Sequence, residues 1–163
     1  RMARSNQLLA ALKAGEVGLA EQYEEALAEF DTIGDIEGWL TEANNYADLL
    51  LQGHNKTEAR AYFAEIVRRA HTHSQRRTLL QGLQGLANVV PEAEAAWLTG
   101  ALDRLRLEWG LPLVSEVLGA EQVRRWNCES VLGTAAWNAA MEAGAALPDD
   151  TVVQRILKVT EEL

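Results

Sequence analysis

The sequence has a single cysteine, Cys128, which excludes an internal disulfide and any zinc cluster built on cysteines, and which suits a reducing cytoplasm. No stretch approaches the ~20 continuous apolar residues of a membrane-crossing helix. Arg1 and Arg4 precede only a short, interrupted apolar stretch, so the N-terminus does not read as a signal peptide. Positive charge is scarce. Fifteen Lys and Arg stand against twenty-four Asp and Glu, and a formal charge of −9 repels phosphate backbones and anionic lipid. The basic pairs Arg68 with Arg69, Arg76 with Arg77, and Arg124 with Arg125 are too dispersed to make a stripe. These features lead to the expectation of a cytoplasmic chain that binds neither membranes nor nucleic acid directly.

Chemical motifs are missing too. There is no Gly-rich phosphate loop with its lysine and hydroxyl, and no Gly-x-Ser-x-Gly nucleophile elbow. His71 and His73 stand two apart, a spacing that does not share one side of a helix, and two imidazoles fall short of a zinc site. Cys128 has no histidine within fifty residues, so a small buried thiol is the expected reading. Glu21, Glu24, Glu25 and Glu29 read as a solvated helix face rather than a general acid pair. Hence no enzyme activity, cofactor or metal is expected.

What the sequence does have is helical periodicity almost from end to end, with nowhere the period-two alternation of a half-buried strand. That makes the expected fold all-α, and a hydrophobic fraction of 48% beside 24% charged residues suits a soluble globular protein. Leu8, Leu9 and Leu12 begin a short helix behind Ser5 and Asn6, ended by Gly15. Leu19, Tyr23, Ala26, Leu27 and Phe30 form the inner face of the next, which stops near Gly34. Asp35 caps a helix carrying Trp39, Ala43, Tyr46, Ala47 and Leu50, closed by Gly53 as a left-handed C-cap. Asn55 and Glu58 resemble a capping box before Ala59, Phe63, Ile66 and Val67. Another helix begins after Ser74 with Leu79, Leu83, Leu86 and Val90. Pro91 then takes the first turn of a helix through Trp97, Leu98, Ala101, Leu102 and Leu105, which yields to Gly110 and Pro112. Three pieces follow: Val117, Leu118, Val123 and Trp126 with a weak point at Gly119; Ala136, Trp137, Ala140 and Met141; and Val152, Val153, Ile156 and Leu157 beyond Pro148.

The pattern repeats. Tyr46, Ala47 and Leu50 recur forty residues later as Leu86, Ala87 and Val90, and Ala59, Phe63 and Ile66 recur thirty-six later as Ala95, Thr99 and Leu102, where Thr99 is a poor match for an aromatic. These residues resemble the tetratricopeptide repeat, whose small residues let two helices approach to about 8 to 10 Å. The runs Glu94 to Leu105, Gly110 to Leu113, Leu132 to Gly133 and Ala135 to Leu147 further resemble the tail of LuxR-type and related ATPase-containing transcriptional regulators. Met141, where that family often has an aromatic, and the shortened turn at Pro91 depart from its pattern.

The resemblance implies a right-handed superhelix of antiparallel helix pairs over residues 1–108, with capping helices over 109–163 in one continuous domain. It also implies a piece of a longer regulator, in which this part binds a protein or peptide or senses a signal. A small-molecule receptor is the rival reading, favoured by an unpaired charge in a pocket, and self-association as a homodimer is a third. Tetratricopeptide modules use the concave face of the first helix of each pair. That face would hold Thr41, Asn44, Asp48 and Gln52, and, forty residues on, Gln81, Gln84 and Asn88. The tryptophans Trp39, Trp97, Trp126 and Trp137 are expected in the core, while Trp109, beside Gly110 at a helix end, is a candidate contact anchor.

Overall fold

Side chains and glycines punctuate the chain where the sequence places them. In the computed structural model, which describes residues 18–163, helix α1 (Leu19–Ile33) ends at Gly34, whose φ of 71° is left-handed. Asp35 then opens α2 (Ile36–Gln52) by accepting the Gly38 N–H at 3.0 Å. Asn55 opens α3 (Lys56–Thr72) by accepting the Glu58 N–H at 3.3 Å, and its side-chain amide donates to Glu58 Oε2 at 2.8 Å. Next come α4 (Arg76–Ala87) and α5 (Glu92–Trp109), the latter ended by left-handed Gly110. The last three are α6 (Ser115–Leu132), α7 (Thr134–Ala145) and α8 (Asp149–Glu162). No strand occurs among the described residues. The short helix expected at Leu8, Leu9 and Leu12 lies outside them.

Three local expectations are corrected. Gly53 is not left-handed, with φ −80°; the chain turns instead at His54, with φ 62°. Pro91 precedes the helix rather than starting it, because its ψ of 153° is extended. Gly119 does not interrupt α6, which runs unbroken through it: a single glycine costs a helix about 1 kcal/mol and leaves its hydrogen bonds intact.

Consecutive helices from α1 to α5 pack side by side, and α2 also touches α4. Burial repeats with the sequence. Tyr46 and Ala47 are buried with Leu50 half-buried, and Leu86 and Ala87 are buried with Val90 half-buried. Ala59, Phe63 and Ile66 are fully buried, as are Ala95, Thr99 and Leu102. Thr99 tolerates this because its hydroxyl donates to the Ala95 carbonyl at 2.6 Å and accepts from Arg124 at 2.8 Å. The main core joins Leu40, Phe63, Leu83, Leu98 and Leu105 with Val152 and Ile156 of α8, which packs on α3 and α5.

The most intimate crossing is between α5 and α7. A Cβ at Gly100 would run into the Met141 carbonyl oxygen, and one at Gly144 would meet the Trp97 carbonyl oxygen. Glycine at both positions lets the two backbones touch, and Trp137 is buried beside Ala95, Ala96 and Cys128.

The tryptophans divide. Trp39, Trp97 and Trp137 are buried as expected. Trp126 is not: 64% of its surface is exposed, and Val117, Leu118 and Val123 of the same helix are exposed with it. The side of α6 that turns inward carries Glu121 and Cys128 instead. Its apolar residues therefore do not mark its packed face.

Candidate functional site

Helices α2 and α4 present their polar faces to a common space because residues four apart share one side of a helix. Asn44, Asp48 and Gln52 of α2, Gln81 and Gln84 of α4, and Asn88 at its C-terminal end line a single groove of about 440 Å³. Thr41, expected on the same face, does not line it, and neither does Trp109, the candidate contact anchor. Thr41 is solvent-exposed, one turn short of the groove. Trp109 packs half-buried against the main core, with the Arg76 guanidinium 4.9 Å from its ring centroid.

A third wall comes from the segment after α5. Left-handed Gly110 turns the chain, the Leu111 N–H donates to the Arg106 carbonyl at 3.0 Å, and Pro112 keeps the next residues extended. Leu111, Pro112, Leu113 and Val114 therefore run along the groove before α6 begins, and Val117, Ala120 and Glu121 complete the wall. Leu80 and Leu51 add apolar surface from α4 and α2.

Behind this wall lies a polar network. Glu121 is buried, and its two oxygens accept from Arg124 Nε at 2.9 Å, Arg125 Nε at 3.0 Å and Gln84 Nε2 at 2.6 Å. Burial alone would raise this carboxyl, but the hydrogen bonds and charges of Arg124 and Arg125 win and hold it below the usual carboxylate range. Arg125 also grips Asp103 with two hydrogen bonds, at 2.9 and 2.6 Å.

Gln84 joins this network to the groove. Its amide nitrogen is committed to Glu121, so its Oε1 faces Arg106 and accepts from Nη2 at 3.2 Å. The other bond of Arg106 is Nη1 to the Leu111 carbonyl at 3.5 Å. Among the described residues no carboxylate oxygen forms an ion pair with Arg106, and desolvation pushes the guanidinium's pKa below its ordinary value. Across the same groove Asp48 is exposed at the groove's surface, and the desolvation of its carboxyl by the groove walls pushes it up to about 6. The groove therefore holds a cation and an anion that do not pair with each other.

Sequence reasoning missed Arg106, Glu121 and the segment 111–114. One signal was present: Gly110 and Pro112 bracket a stretch that has to leave the helix, which fixes where the chain goes but not what it covers. The basic pairs form no common surface. Arg69 bonds Asp31 at 2.6 Å and lies over Trp39, Arg68 bonds Glu65, and Arg124 and Arg125 point into the network.

His71 Nε2 lies 3.3 Å from Asp150 Oδ1, and His73 sits exposed at the end of α3. The described residues contain no group of three or more His, Cys, Asp or Glu arranged to hold a metal. Cys128 is buried, and desolvation raises its thiol's pKa. No helix among the described residues is long and apolar enough to cross a membrane. No family model, curated protein or solved structure matches the chain.

Proposed function

We propose that the chain is a non-catalytic sensing module, tetratricopeptide-like in its stacked pairs, within a cytoplasmic bacterial transcriptional regulator, and that the groove is its receptor site. The convergence of Asn44, Asp48, Gln52, Gln81, Gln84 and Asn88 on one space carries this reading. Mostly short or uncharged polar groups around an apolar floor are what a binding site uses to orient a ligand. Between an extended peptide and a small molecule, Arg106 favours the second. A peptide backbone is met by the amides of Asn44, Gln52, Gln81 and Asn88 and brings no carboxylate to a guanidinium that bonds only neutral oxygens.

The test is a fragment screen by ligand-observed NMR on the parent chain and on Ala120→Trp, which fills the groove from its third wall. Groove ligands lose their signal in the variant. Hits that bind both proteins equally would sink the receptor reading. Self-association rests on other residues, the exposed Val123 and Trp126 of α6, and sedimentation at rising concentration with Trp126→Ser as control checks it.

A further inference from the structure

We infer that the groove's ligand is an organic monocarboxylate with an apolar body, its carboxylate on Arg106 and its body against Leu80, Leu111, Pro112, Val114 and Val117. The inference rests on the groove being a receptor site and specifies what that site takes.

Arg106 has more donors than the protein uses. A guanidinium carries five N–H groups, and the protein uses them for two hydrogen bonds, to the Leu111 carbonyl and to Gln84 Oε1. Both acceptors are neutral. Arg124 and Arg125, on the neighbouring helix, each have a carboxylate partner. The Glu121 carboxylate cannot serve Arg106 as well, because its oxygens already accept from Arg124, Arg125 and Gln84. Gln84 cannot turn to relieve the shortage, since its NH2 is held by Glu121. Arg106 thus keeps its charge in a desolvated wall with donors unspent, and a planar two-oxygen acceptor matches the guanidinium fork.

The ligand's charge is set from the opposite side. Asp48 shares the groove and bonds no cation there among the described residues, so a second negative charge on the ligand would face it directly. One negative charge satisfies Arg106, and a phosphate dianion is disfavoured. Arg77, exposed on the rim, adds attraction for an incoming anion in a chain that is otherwise acidic. The five apolar side chains on the floor and third wall exclude a ligand that is polar throughout, and the volume is that of a small-molecule site.

The probes are 4-phenylbutanoate, its primary amide, and phenyl phosphate, each titrated by saturation-transfer NMR and calorimetry into the 163-residue chain. The parent should bind the acid about tenfold more tightly than the amide, the expected worth of one charge-assisted contact. Arg106→Gln should erase that preference and Arg106→Lys should keep part of it, with far-UV circular dichroism and melting showing both folded. Ala120→Trp should abolish binding of the acid. Equal binding of acid and amide, tighter binding of phenyl phosphate, a preference that survives Arg106→Gln, or no binding of any probe would each overturn the inference. Equal binding that Ala120→Trp blocks leaves the groove standing as a receptor site, whereas binding that Ala120→Trp leaves untouched defeats that reading as well.

Discussion

An alanine at position 100 and an alanine at position 119 are the same chemical change in two helices, and the structure gives them opposite signs. In both, replacing glycine gains helix propensity, about 0.8 to 1 kcal/mol. Gly119 is exposed with nothing within 4 Å of a built Cβ, so the gain is kept. At Gly100 the Cβ would run into the Met141 carbonyl oxygen and lie 2.8 Å from the Met141 Cα. These are backbone atoms and cannot rotate away. Helix α7 has to retreat by about 1 Å, and a gap of that size forfeits a quarter to a half of each dispersion contact along the crossing. Overpacking costs about 1 to 3 kcal/mol, and a backbone obstacle puts this case at the top, so about 2 kcal/mol remains lost after the propensity gain. For a chain of this length Gly100→Ala should melt about 4 to 8 °C below the parent, and Gly119→Ala a few degrees above it. Urea midpoints at constant slope provide the second measurement. A Gly100→Ala protein as stable as the parent would show that α5 and α7 do not cross at these glycines.

The remaining predictions concern the core and the groove. Trp126→Gln should shift stability by no more than about 0.5 kcal/mol, whereas Trp137→Ala should cost about 3 to 5 kcal/mol; equal losses in chemical denaturation would refute the outward placement of Trp126. Glu121→Gln leaves Arg124 and Arg125 short of their shared anion in a buried setting, and should cost about 3 kcal/mol by the same assay; a neutral effect would mean that the network is solvated. Asp48 titrates near 6 in the folded chain against its ordinary 3.8, so between those values the folded state binds more protons than the unfolded one and stability falls as pH rises. Asp48→Asn should therefore melt higher than the parent at pH 7 and match it near pH 4; a gap that is constant with pH would exclude the carboxyl as its source.

The features of this protein that depend only on neighbours along the chain are legible in its residues. Asp35 and Asn55 cap helices because an N-cap acts on N–H groups two or three residues ahead, and Gly34 and Gly110 end them because only a local left-handed turn is needed. The forty-residue echo placed Asn44 with Gln84 and Asp48 with Asn88, since equivalent positions in repeated helices face the same way, and the structure brings all four into one groove. Periodicity failed where burial was not apolar. Helix α6 turns Glu121 inward and Trp126 outward, because two arginines and an amide from another helix make the buried carboxylate affordable, and those partners lie as far as thirty-seven residues away in sequence. The same limit hid Arg106. A guanidinium in a sequence is one charge among fifteen, and only the packing of α4, α5 and segment 111–114 decides that this one is desolvated, bonded to neutral oxygens and in ion-pair contact with neither Glu121 nor Asp103, whose charges it still feels.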